Sequence, residues 1–130
     1  MKQVYPIELI KTETGYVVFV PDMQINTEGK DIADAIFMAR DAISLCGITM
    51  QDNHQPVPTP SPIEKVKPEN GGFITLVDVD FEEYRKKNDM RAIKKNCTVP
   101  AWLCYAAEQA GINFSQTLQA GLKAQLHIND

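Results

Sequence analysis

The chain has 130 residues, 44% of them hydrophobic and 23% charged, and a formal net charge of −4, which fits one or two small soluble domains. No apolar run approaches a membrane span, and Glu8 and Lys11 interrupt the first apolar stretch after Met1, so a cytoplasmic protein with no membrane partner is expected. The acidic total weighs against nucleic acid only until it is divided: residues 1–84 hold 6 Lys+Arg against 14 Asp+Glu, and residues 85–130 hold 7 against 3.

"VYPIELIKTETGYVVFVPD" reads as two strands joined at "TETG", with Gly15 free to turn, and a third strand is expected around "MQINT". Asp31 then caps a helix in which Ile32, Ile36, Ala39, Ile43 and Cys46 recur on one face, ending at Gly47 or near Asp52. "QPVPTPSP" follows, and prolines at 56, 58, 60 and 62 favour an extended connector. "GGFITLVDVD" restores a strand over residues 73–79, and Asp80 caps the short helix "FEEYRKKN". "NDMR" after it has the character of a hinge. Cys46, Cys97 and Cys104 are odd in number and lack paired ligand spacing, so they read as reduced, mostly packed thiols, with no metal and no cofactor.

The last segment alternates before it turns helical. Over residues 93–99, Ile93, Cys97 and Val99 fall on one strand face and Lys94, Asn96 and Thr98 on the other, with Lys95 interrupting the apolar side. Pro100 ends the strand and suits a helix start, "AWLCYAAEQA" runs to a stop at Gly111, and Asn113 caps a second helix with Leu118, Leu122 and Leu126 along one side. A strand this short cannot satisfy its own backbone groups, so it needs a partner strand. The plainer alternative is a helical hairpin with an ordinary edge strand.

This strand-helix-turn-helix order over about residues 91–127 resembles the ribbon-helix-helix family of DNA-binding proteins. The resemblance implies a homodimer in which two strands pair as an antiparallel ribbon inside the major groove of operator DNA. Lys94, Asn96 and Thr98 would then contact bases: Lys donates to guanine acceptors, Asn pairs with adenine, and Thr offers a hydroxyl and a methyl. Asn113, Phe114 and Ser115, at the positive end of the second helix, would contact phosphate.

The order β-β-β-α-β in the first half, with Tyr5-Pro6, Gly15-Tyr16, Pro21-Asp22, Gly29, Ala35 and Ala39 in sequence, resembles the N-terminal domain of HicB antitoxins. The stretch after Pro21-Asp22 departs from that pattern in carrying Met23, Gln24, Ile25 and Asn26. The joint resemblance implies an α+β chain: a partial ribonuclease-H-like domain at 1–87 and a ribbon-helix-helix domain at 88–130. It also implies a function, neutralisation of a HicA-type mRNA interferase toxin together with repression of the operon, with room for assembly beyond the dimer. An acidic first half suits such a basic partner, and Asp22, Glu28, Asp31 and Asp34 are candidate toxin contacts.

Two other functions stay open. Glu8, Asp34, Asp41, Asp78 and Asp80 could serve a two-metal nuclease if they converged, although Asp80 is better used as a helix cap; His54 and His127 read as surface residues, and the chain is expected not to be an enzyme. A freestanding ribbon-helix-helix regulator with a ligand-sensing first domain would share every DNA contact.

Overall fold

The computed structural model describes residues 1–129, which form two compact units, Met1–Met90 and the remainder from Arg91. The first unit is a four-stranded antiparallel sheet in the order β3-β2-β1-β4, built from β1 (Lys2–Lys11), β2 (Tyr16–Val20), β3 (Ile25–Gly29) and β4 (Phe73–Asp80). Its helices are α1 (Ile32–Asp52) and α2 (Phe81–Lys87). Period-two alternation sends Tyr5, Ile7, Leu9, Val18, Val20, Val77 and Val79 to one sheet face, where they pack with Ala35, Ala39 and Ile43 of α1. Pro6 lies on the part of β1 that pairs with β4 but not with β2, where its missing N–H is tolerated.

The buried stripe of α1 shares Ala39 and Ile43 with the sequence expectation and differs in the rest. It runs Ala35, Ala39, Ile43, Gly47, at strict four-residue steps, while Ile32 is left exposed and Ile36 and Cys46 flank it. Small residues take the stripe because the helix lies close to the sheet: a Cβ on Gly29, at the end of β3, would overlap the Ala35 backbone. Gly47 does not end the helix. A Cβ there would collide with the Phe81 ring, so the glycine is a notch into which the first residue of α2 fits.

Capping follows the sequence closely. Asp31 accepts from the Asp34 N–H at 2.8 Å, Asp80 accepts from the Glu83 N–H at 3.0 Å, and Asp34 in turn accepts from the Lys30 N–H at 2.8 Å. Arg40 of α1 reaches the outer edge of β4, donating to the Asp78 carbonyl and carboxylate, each at 2.9 Å. That hydrogen bond and the guanidinium charge hold the Asp78 carboxyl below the usual carboxylate range.

The second unit carries α3 (Ala101–Gln109) and α4 (Phe114–Gln125), with Gly111 left-handed between them and Asn113 accepting from the Gln116 N–H at 3.0 Å. Three helices end alike. After α1, α3 and α4 the residue past the cap is left-handed (His54, Gly111 and His127), and the two following N–H groups bond back to the last turn, as in His54 N–H to Gln51 O and Gln55 N–H to Met50 O. A histidine in that conformation is strained where glycine is not. His54→Gly is therefore expected to stabilise the first unit by about 0.5 to 1 kcal/mol, less than the full left-handed penalty because glycine also loosens the unfolded chain. A higher midpoint in urea unfolding checks this.

Residues 91–100 belong to no helix or strand, so the strand expected at 93–99 is not formed within one chain. The reason is the one the sequence gives: its backbone groups have no neighbouring strand to bond.

Candidate functional site

The first unit presents one covered and one open sheet face. On the open face, β1 contributes Pro6, Glu8 and Ile10, β2 contributes Val17 and Phe19, and β3 contributes Asn26 and Glu28, which the register places opposite Phe19 and Val17. Glu8 is buried yet charged. Its carboxylate accepts from the N–H groups of Asn70 and Gly72, both at 2.9 Å, from the Glu69 N–H at 3.2 Å and from the Asn70 side-chain amide at 3.1 Å. Burial pushes the Glu8 carboxyl up, but the Gly72, Asn70 and Glu69 N–H donors and the Asn70 amide outweigh it and leave the group below the ordinary glutamate value.

Beside this clamp the open face forms a hollow of about 460 Å³ lined by Ile10, Val17, Phe19, Asn26, Glu69 and Asn70. Sequence reasoning missed it. The signal was "YVVFV", in which every position is apolar, so that β2 has a second apolar face to cover.

The proline-rich connector is tied down at two points rather than running free. The Tyr5 hydroxyl donates to the Pro58 carbonyl at 2.7 Å, and Asp22 accepts from the Ser61 N–H at 2.9 Å and from its hydroxyl. Burial, with Asp22 and Cys46 nearby, pushes the Tyr5 phenol up.

These bonds sort the four carboxylates expected to meet a partner. Asp22 holds the connector, and Asp31 and Asp34 serve the start of α1; Glu28 alone stands exposed on the open face next to Val17. The five carboxylates considered for a metal pair are likewise dispersed. Glu8 is clamped, Asp78 is paired with Arg40, Asp80 caps α2, Asp41 lies by Tyr84, and Asp34 sits at the first turn of α1. Among the described residues, no three His, Cys, Asp or Glu side chains gather where they could hold a metal ion.

In the second unit Lys94, Asn96 and Thr98 are all exposed in the stretch without regular structure. Asn113 spends its side chain on the α4 cap and Ser115 accepts from Gln119 at 3.1 Å, leaving the first N–H groups of α4, on Phe114 and Ser115, ahead of any intrahelical acceptor. No residue of α3 or α4 is buried. Val99, Trp102, Leu103, Tyr105, Leu118, Leu122 and Leu126 are exposed, Trp102 to 71%. Cys46 is half-buried against the first unit's core, Cys104 is half-buried and Cys97 is exposed, so of the thiols expected to be packed Cys97 is not. Among the described residues no helix is long and apolar enough to cross a membrane.

Comparison with known proteins adds three findings. Residues 5–120 match a family described as the HicB-like antitoxin of bacterial toxin-antitoxin systems. An uncharacterised 14.9 kDa protein from the rep-hol intergenic region of Haemophilus phage HP1 (strain HP1c1) is 38% identical over 109 residues, 81% of this chain and 79% of that one. Among solved structures, a toxin-antitoxin complex from Streptococcus pneumoniae is 26% identical with a TM-score of 0.59, covering 96% of this chain and 99% of that one. The N-terminal domain of the Burkholderia pseudomallei antitoxin HicB is 35% identical with a TM-score of 0.52, over 60% of this chain and 99% of that one.

Proposed function

The chain belongs to the HicB-like antitoxin family of bacterial toxin-antitoxin systems, and from that premise we propose that it neutralises a HicA-type mRNA interferase through residues 1–87 and represses its own operon through residues 88–130. The observation that carries this division is the contrast between the two units. The first closes its own core around Tyr5, Ile7, Leu9 and Ile43, whereas the second leaves every residue of its two helices unburied. Apolar side chains exposed in such number call for a second surface, and a second copy of the same segment supplies one that matches by symmetry.

In the pairing we propose, residues 93–99 of two chains form an antiparallel ribbon, Val99 and the α3 and α4 apolar side chains close between the copies, and Lys94, Asn96 and Thr98 face the major groove. The phosphate lies at the α4 start, held by the N–H groups of Phe114 and Ser115. Counted at this boundary, residues 1–87 carry 9 Lys+Arg against 14 Asp+Glu and residues 88–130 carry 4 against 3, so the acidic excess belongs to the first part. The chain in this reading performs no catalysis.

Asn96→Ala is expected to weaken operator binding by about 1 to 3 kcal/mol and relax one base position, with dimerisation unchanged. A gel-shift titration on the DNA upstream of the chain's own gene checks it, and normal binding by the variant removes Asn96 from the contacts. The division of labour is tested by co-expressing residues 1–87 or residues 88–130 with the HicA-type toxin that this reading assigns to the chain. Growth is expected to recover with the first and not with the second; rescue by the second alone inverts the roles.

A further inference from the structure

We infer that the hollow on the open face of the sheet, floored by Val17 and Phe19 and rimmed by Asn26, Glu69 and Asn70, with Glu28 beside Val17 on the same face, is where the toxin docks, receiving an apolar side chain flanked by basic residues. This rests on the antitoxin reading and specifies its surface. Helix α1 covers one sheet face, and Glu8 holds residues 69–72 over part of the other, so Glu69 and Asn70 form one wall of a hollow that β2 and β3 leave uncovered.

Three properties select the occupant. The floor is apolar and half-buried, which supplies the desolvated centre that a protein contact needs. The rim carries the Glu69 carboxylate and the amides of Asn26 and Asn70, Glu28 stands beside Val17 on the same sheet face, and residues 1–87 hold 9 Lys+Arg against 14 Asp+Glu, so the complementary surface is basic. Of the four carboxylates expected to meet a partner, Asp22, Asp31 and Asp34 each accept an internal hydrogen bond, and Glu28 is the one that shares the sheet face of the hollow.

The test uses the full chain and the HicA-type toxin that the antitoxin reading assigns to it, with a catalytically silent form of the toxin for titration. Phe19→Asp, and separately the rim pair Asn26→Arg with Glu28→Lys, are expected to weaken toxin binding at least about thirty-fold, the size of a central interface residue. Phe37→Asp on exposed α1 is expected to stay within about threefold of the parent. Operator binding and the thermal midpoint should be unchanged in the rim pair, whose side chains stand outside the core, so that variant decides the matter even if Phe19→Asp fails to fold. Parental affinity in the rim pair overturns the inference while leaving the antitoxin reading intact. A parent chain that does not bind the toxin overturns both. Intact toxin affinity with a reduced assembly mass assigns the hollow to a second copy of this chain and overturns the inference.

Discussion

Replacing Glu8 by Ala is expected to destabilise the first unit by about 2 to 4 kcal/mol, because it strands several donors that now converge on one buried carboxylate. Against a typical total of about 5 to 15 kcal/mol for a small domain, that is enough to raise the unfolded fraction by orders of magnitude. Glu8→Gln keeps one acceptor oxygen and should cost less. The pH dependence follows in sign. The folded-state pKa lies below the unfolded value of about 4.3, so the contribution of Glu8 is fully present above that pH and is lost as pH falls through the lower folded value. In Glu8→Gln that part of the acid limb disappears, and urea midpoints measured from pH 7 down to pH 3 should fall less steeply than in the parent. Parallel curves would mean that the clamp is not formed in solution.

Gly47→Leu is expected to cost about 1 to 3 kcal/mol or more, although leucine is the better helix former by nearly 1 kcal/mol. The added side chain must displace the buried Phe81 ring, which lies where its Cβ would go and packs edge-on against Tyr5 with centroids 6.4 Å apart. The two effects can be separated. In an isolated peptide spanning α1 the same substitution should raise helicity, while in the full chain it lowers the thermal midpoint. Combined with Phe81→Ala the second penalty should shrink, since the notch is then empty and the two changes share one space. A raised midpoint for the single variant in the full chain refutes the notch.

What the sequence disclosed and what it hid divide along contact range. Asp31, Asp80, Asn113 and Gly111 were legible because each acts on backbone within a few residues of itself. The four strands of the first unit followed from β-branched and aromatic runs between turn residues. The α1 face was read in part: Ala39 and Ile43 are buried and Ile36 and Cys46 pack against the core, whereas Ile32 is exposed and Ala35 and Gly47 were missed, because the fit of Ala35 against Gly29 is a property of two backbones meeting. Glu8 was taken for a possible metal ligand because its donors come from more than sixty residues away. The tie between Asp22 and Ser61, 39 residues apart, was invisible for the same reason. Of the candidate site, Lys94, Asn96 and Thr98 are exposed together with apolar Ile93, Cys97 and Val99, so polarity does not sort two faces within one chain, whereas the hollow depends on which side of β2 the connector fails to cover.

If the chain represses its operon as proposed, the uncovered helices of the second unit bear on how that repression would respond in a cell. If ordering of that segment requires a second copy, its folding is bimolecular, and its midpoint should rise with protein concentration while that of the first unit stays fixed. Mass action then makes the operator-competent species scale with the square of the free chain. A modest fall in copy number, by dilution or proteolysis, would dismantle repression before it exhausts the chains able to meet the toxin, so the operon would be re-expressed while neutralisation still holds.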